Sequence, residues 1–312
     1  MKRFLCILLV LTLIPLSTIA TQKEKAMELI DVLTKEELTK TPKGMHHYLL
    51  ICMDSWGAKL SNLSFSDGMV LLTIDEGTGR VMVTSLIRDM LVMHPDGAPG
   101  RLTYIAKEFG VPALVETISL HFGINIEKYI LMDWSQVQSI VDACGGVRLN
   151  VTNAEASYLR RYAIAPTSTV PKMANAGEYL FKGHAAVIYM RMRKVAASNG
   201  EKQDYGRTFR TRTVLSNIAD SLADISYEDA EKLLNSVLDN ILYTNLTAAE
   251  ILEAFNIAYS LKGTKVEQCR LPFDDTARAY NYYGGAAQLI DFQKNRELFD
   301  EFLHASSYVV ME

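Results

Sequence analysis

Three β-rich runs follow one another closely: YLLICMD (Tyr48 to Asp54), GMVLLTID (Gly68 to Asp75) and RVMVTSLI (Arg80 to Ile87). Only Glu76-Gly77-Thr78-Gly79 separates the last two, a length that makes a hairpin turn and is far too short for a parallel crossover. A sheet built on these strands is therefore partly antiparallel and not doubly wound. Helical periodicity follows at Val111 to Phe122 and at Trp134 to Ala143, stopped by Gly123 and by Gly145-Gly146. VRLNV (Val147 to Val151) reads as a strand, and the apolar run AAVIYM before Arg191 as another. Three helices are expected at Phe209 to Ala223, Tyr227 to Leu242 and Ala248 to Leu261, the last opened by a Thr247 to Glu250 capping box. A strand from Val266 to Pro272 and a helix from Leu289 to His304 complete an α/β pattern. The expectation is one domain, residues 44–312, with a central mixed β-sheet flanked by helices; 49% hydrophobic and 22% charged residues suit such a globular chain.

Before this domain, Lys2 and Arg3 precede an uncharged stretch from Phe4 to Ala20 that ends in small residues. Residues 1–21 are read as a secretory signal or an N-terminal membrane anchor, and 22–43 as a short juxtamembrane helix or spacer. Either reading puts the domain across a membrane from the cytoplasm. Cys52, Cys144 and Cys269 have no partner at short spacing, so neither a disulfide framework nor a zinc site is expected.

The stretch from Arg191 to Arg212 carries seven Lys/Arg against Glu201 and Asp204, in a chain of net charge −4. Guanidinium groups hold phosphate oxygens by a two-point fork, and several converging would suit a pyrophosphate. Arg191 and Arg193 would share one face of a strand, and Arg207 and Arg210 one surface of a helix. Lys194, Lys202 and Arg212 are read as solvated charge. Two acids, Asp54 after the first strand and Asp67 before the second, would meet at one sheet edge if the strands are neighbours; paired carboxylates with open water positions suit Mg²⁺. As single residues both also suit ordinary turns. Arg88-Asp89 and Arg101 add to a composition typical of metal-assisted phosphoryl transfer. No glycine-rich phosphate loop is present, and the negative net charge without an aromatic-basic stripe speaks against nucleic acid.

In order, MD(54), SD(67)GMVLLTID, RVMVTSLIRD(89), RLTYIAKEFG, DACGGVRLNV, GHAAVIYMRMR and DYGRTFRTRTVL resemble the LytR-CpsA-Psr family of cell-wall assembly proteins, from about residue 46 to the C-terminal helix. The resemblance implies a phosphotransferase that attaches a glycopolymer (teichoic acid, capsule or similar) to peptidoglycan. The donor would be linked to undecaprenyl pyrophosphate, and the reaction would take place on the extracellular face of a bacterial cytoplasmic membrane. Carried over by motif, Asp54 and Asp67 would hold Mg²⁺ (or Mn²⁺), and Arg88, Arg101, Arg191, Arg193, Arg207 and Arg210 would bind the pyrophosphate. Arg88, Asp89 and Asp204 are the catalytic candidates, either acid being placed to assist proton removal. Departures from the family pattern stand at Trp56 and Phe65 (arginine expected), Ile87 (proline) and Thr211 (glutamine). They leave open a polyprenyl-phosphate or wall-polymer binding module without transfer, or a polyprenyl-pyrophosphate pyrophosphatase. The carrier needs an apolar slot, for which the helices at Val111 to Phe122 and Trp134 to Val141 and the strand Tyr129 to Met132 are candidate walls. Tyr280, Tyr282 and Tyr283 are candidates for stacking on sugar rings.

Overall fold

A computed structural model describes residues 22–162 and 175–305; the expected signal or anchor lies outside the described residues. Six strands form a central sheet in the order β10-β3-β2-β1-β6-β9. They are β1 (Met45–Met53), β2 (Ser66–Asp75), β3 (Arg80–Leu86), β6 (Lys128–Asp133), β9 (Tyr243–Thr244) and β10 (Val266–Leu271). The β2–β3 hairpin forms as its turn dictates, with Asp75 opposite Arg80. β1 is antiparallel to β2 and parallel to β6, and β10 is parallel to β3. The sheet is thus mixed, and β1, β3, β6 and β10 all end at the same edge.

Alternation along the strands sends apolar side chains to both faces. Leu49, Ile51, Met53, Met69, Leu71 and Met82 face the larger core. That core is closed by α2 (Ile105–Phe109), α3 (Val111–Phe122) and α10 (Phe292–His304). On the opposite face, Cys52, Val70 and Val83 meet α4 (Trp134–Ala143), α6 (Gly183–Arg191) and α7 (Gln203–Ser221). Tyr48 and Ile74 on that face meet α9 (Ala248–Ser260), whose Thr247/Glu250 capping box is formed as expected. α5 (Asn153–Tyr162) and the hairpin of β7 (Val147–Val151) with β8 (Gly177–Phe181) flank α6, and α8 (Tyr227–Leu238) packs beside α9.

Several expectations are corrected. AAVIYM lies in the helix α6, not in a strand, and Ala185, Ala186, Val187, Tyr189 and Met190 are all buried. A helix buried nearly all round lacks the polar face that periodicity detects, so it reads like a buried strand. α7 begins at Gln203, six residues before the expected start, and α8 ends at Leu238. The short helix read for the stretch after residue 21 is present at residues 22–29 (α1), and Ala26 and Ile30 enter the larger core. Two further hairpins had no expectation attached: β4 (Leu91–Met93) with β5 (Pro99–Arg101), and β11 (Ala277–Tyr282) with β12 (Gly285–Ile290).

Candidate active site

The shared strand edge gathers the charged residues. Cys52 pairs with Gly68 and Met53 with Ser66, so a bulge leaves Asp67 as the extra residue of β2. The Asp54 amide donates to Phe65 O (2.8 Å), which brings Asp54 and Asp67 to the same end of neighbouring strands. Arg88 and Asp89 follow the end of β3 there. Asp133 ends β6 and caps α4 by accepting from Ser135 N and Gln136 N, which fixes Trp134 at the same edge. From the other side, the end of α6, the α6–α7 connection and the start of α7 supply Arg191, Arg193, and Asp204 with Arg207, respectively. That connection folds tightly because Gly206 sits against Glu201 O, where a Cβ would come within 2.6 Å.

Five guanidinium groups and four carboxylates interlock here. Arg88 contacts Asp67 through Nη1 and Asp204 through Nε (3.4 Å). Arg207 Nη1 reaches Asp67 Oδ2 at 3.0 Å, and its Nη2 donates to the Asp67 carbonyl. Arg193 Nε pairs with Asp204 Oδ1 at 3.0 Å, Arg191 Nη2 with Asp54 Oδ1 at 3.1 Å, and Arg101 Nη1 with Asp89 Oδ1 at 3.4 Å. Arg207 is buried and Arg88 only slightly exposed (16%), whereas Arg101, Arg191 and Arg193 are more open to solvent. The deeper pair thus anchors the cluster, and the outer three present charge to an arriving anion.

The two acids on the Arg88 side are set apart in acidity. Burial, reinforced by the hydrogen bond to Asp204 and its charge, pushes Asp89 up to about 6. Burial also acts on Asp204, but the Asp89 hydrogen bond and Arg88, Arg207 and Arg193 outweigh it and hold this carboxyl below its ordinary value. Such a pair titrates as a unit, with Asp204 anionic and Asp89 near the point of exchange at neutral pH. Burial lowers the Arg207 pKa; Arg88 is raised because Asp67 and Asp204 outweigh its burial.

Next to this cluster lies a narrow apolar slot between the sheet and α7. Leu50, Cys52, Val70 and Met132 form its floor, Trp134 and Val137 of α4 and Met190 of α6 one side, and Thr208, Thr211 and Leu215 the roof; Asp67 and Arg207 also line it, so the slot borders the charged cluster. Its volume of ≈ 90 Å³ holds about three waters. Met132 and Met190 line it, and their unbranched side chains let such a slot widen around a chain. Trp134 and Val137 take the place expected of them. α3 does not: Val111, Leu114, Ile118 and Phe122 pack in the core on the other face, as does Tyr129.

The model of the LytR_cpsA_psr family matches residues 16–297. The chain belongs to this family. Biofilm regulatory protein A of Streptococcus mutans is 26% identical over 215 residues, which cover 66% of this chain and 51% of that protein. The polyisoprenyl-teichoic acid–peptidoglycan teichoic acid transferase TagU of Oceanobacillus iheyensis is 28% identical over 192 residues, 59% of this chain and 55% of that protein. The chain spans about half the length of these two curated relatives. Among solved structures, TagT bound to LI-WTA superposes with a TM-score of 0.66 at 21% identity, covering 87% of this chain and 97% of TagT. B. subtilis TagV gives 0.64 at 18%, covering 84% and 98%. At these identities the two structures establish a shared fold.

Within this family frame, Arg210 departs from the expected role. It is fully buried, its Nε donates to Glu155 Oε1 (2.7 Å), and its Nη1 and Nη2 donate to the carbonyls of Met192 and Val195 (both 2.9 Å). It braces the turn that carries Arg193 and does not join the cluster: although it lies on the same side of α7 as Arg207, its guanidinium is fully taken up by Glu155 and the two carbonyls. Arg212, read as solvated, is also buried, against Ser85; burial lowers its pKa to about 10. Tyr280 and Tyr282 pack against the larger core, and only Tyr283 is exposed. Cys52, Cys144 and Cys269 are free thiols.

Three contacts at the site carried no expectation. Trp134 Nε1 donates to Asp54 Oδ1 (3.2 Å), and the Arg191 guanidinium lies 5.2 Å from its ring centroid. Lys107 Nζ sits 4.2 Å from the Phe65 ring centroid, so a cation stands beside the position where the family pattern has arginine. Gln288 of β12 donates its backbone N–H to Asp89 O (2.9 Å) and tethers the C-terminal hairpin to the site. Only a tertiary contact could reveal these.

Asp54 and Asp67 are the carboxylates at the site that could offer oxygens to a hard divalent cation. Asp54 is partly exposed and both its side-chain contacts go to Oδ1, whereas Asp67 is buried with Oδ1 on Arg88 and Oδ2 on Arg207, so a cation there would share an oxygen already paired with a guanidinium. Among the described residues no group of three or more His, Cys, Asp or Glu could hold a metal, so further ligands would come from water and substrate phosphate, as Mg²⁺ prefers. No described helix is long and apolar enough to cross a membrane.

Proposed function

We propose that this protein transfers a glycopolymer from a polyprenyl-pyrophosphate carrier to peptidoglycan, on the outer face of a bacterial cytoplasmic membrane. One observation carries the reading: the arginine–aspartate cluster borders an apolar slot, with Asp67 and Arg207 belonging to both. A ligand with a doubly charged head and a hydrocarbon tail matches both parts at once. The relatives named as teichoic acid transferases support the same reading.

In this mechanism Arg191, Arg193 and Arg101 receive the pyrophosphate, while Arg88 and Arg207 hold Asp67 and Asp204 in place. Asp54 and Asp67 would hold Mg²⁺, which when bound offsets the negative charge of the phosphates. An acceptor hydroxyl forms a bond to the sugar-linked phosphorus. The bond from that phosphorus to the bridging oxygen breaks, releasing polyprenyl phosphate, and the hydroxyl proton passes to Asp89. A carboxylate near 6 suits that task at neutral pH, and the neighbouring arginines stabilise charge on the phosphoryl oxygens.

The test is reconstitution with a polyprenyl-pyrophosphate-linked glycan, Mg²⁺ and peptidoglycan. Covalent attachment to peptidoglycan with release of polyprenyl phosphate is expected. Binding of the donor without turnover would instead identify a binding module, and phosphate release in the absence of peptidoglycan a pyrophosphatase.

A further inference from the structure

The loop between β1 and β2 exposes apolar side chains at the rim of the site. Trp56 is 47% and Leu60 53% exposed, two residues and six residues beyond Asp54. A tryptophan left this open forfeits hydrophobic stabilisation it would gain elsewhere. The loop beneath it is nevertheless held firmly. Ser55 O accepts from Trp134 N (3.1 Å), Ala58 N donates to Asp133 Oδ2, and Ser64 Oγ donates to Asp54 O (3.0 Å). Gly57 takes φ +81° directly after the tryptophan, a conformation that turns the chain sharply at low cost only for glycine. The His184 ring, from the first turn of α6, stands 6.0 Å from the Trp56 ring at 37° and supports one side of it. The residues bracing the loop, Asp133 and Trp134, belong to the strand and helix that position Asp54.

We propose that Trp56 is a stacking platform for a pyranose ring of the glycan, resting on the function proposed above. A pyranose presents C–H groups on its face and hydroxyls around its rim, so it buries the first on an aromatic plane and keeps the second in water. A fixed indole is suited to this because little conformational entropy remains to be lost on binding. Its place two residues beyond Asp54, whose carboxylate pairs with Arg191, puts the ring next to the phosphate-linked end of a bound glycan. The ring belongs either to the donor polymer or to the acceptor strand; both present the same chemistry.

The experiment compares wild type with Trp56→Ala, Trp56→Leu and Trp56→Phe in the transfer assay, varying donor and acceptor separately. Trp56→Ala and Trp56→Leu are expected to raise KM for one glycan about tenfold with kcat within twofold, and Trp56→Phe to restore most of the loss. A rise confined to the acceptor KM assigns the ring to peptidoglycan, and one confined to the donor KM assigns it to the polymer. Tryptophan fluorescence gives a readout that needs no turnover, since Trp56 and Trp134 are the two tryptophans and Trp134 is buried. Titrating a soluble peptidoglycan disaccharide and the detached donor glycan should shift the emission in wild type and in neither the alanine nor the leucine variant. Unchanged KM values in folded Trp56→Ala with active transfer would overturn the platform and leave the transferase intact. Absence of transfer by wild type would overturn the transferase, while the titration would still decide the platform.

Discussion

Replacing Arg210 by alanine separates a brace from a ligand. Arg210 and Glu155 are both fully buried, and the guanidinium also serves the carbonyls of Met192 and Val195. Removing one member of a buried pair costs about 3–5 kcal/mol, because the remaining charge is left uncompensated. The two carbonyls lose donors as well, but water entering the vacated space offsets part of that loss, so we take about 4 kcal/mol. Against a total stability of about 5–15 kcal/mol this is severe. With roughly 2–4 °C per kcal/mol for a chain of this order, Tm should fall by about 8–16 °C. Thermal denaturation followed by circular dichroism measures it. Adding Glu155→Gln removes the stranded charge while preserving the reciprocal bonds with Thr152, and should recover about half of the loss. An Arg210→Ala protein of unchanged Tm that has lost affinity for polyprenyl pyrophosphate would refute this reasoning and return Arg210 to the ligand.

Asp89, raised to about 6, must be ionised to accept a proton, so transfer should fall as pH drops through about 6; Asp89→Asn should cost about 10²–10⁴-fold and abolish that limb in a pH–rate profile. Arg101 lowers the Asp89 pKa, so Arg101→Met should move the same limb to higher pH, which the same profile reads. Leu215→Trp fills the slot beneath α7 and should cut transfer from long polyprenyl donors at least tenfold while sparing a short-chain analogue, with about 1–3 kcal/mol of overpacking cost in denaturation. Trp134→Phe keeps the ring under Arg191 but loses the 3.2 Å bond to Asp54, and should weaken Mg²⁺ dependence measured by titrating the metal in the transfer assay.

The sequence was most informative where local chemistry decides local structure. The four-residue turn set the β2–β3 hairpin, Gly123 ended α3, and Thr247 with Glu250 capped α9. Asp54 and Asp67 could be paired because neighbouring antiparallel strands return to one edge. Burial was the hidden variable elsewhere. α6 lost its periodic signal to contacts on nearly all sides, and Arg210 and Arg212 look in sequence like Arg207 yet point to different neighbours around one helix. α3 has the apolar character of a slot wall, but nothing in its residues says which face of the sheet it covers. The roles of Trp134 and Lys107 rest on partners distant in the chain, Asp54 and Phe65, and so became visible only in the fold.

Structure determination with a polyprenyl pyrophosphate and Mg²⁺ tests the central claim most directly. The account predicts phosphate oxygens on Arg191, Arg193 and Arg101, a metal between Asp54 and Asp67, and a prenyl chain opening the slot between Val70, Val137 and Leu215. A chain bound elsewhere, or phosphates that leave this arginine cluster untouched, would contradict it.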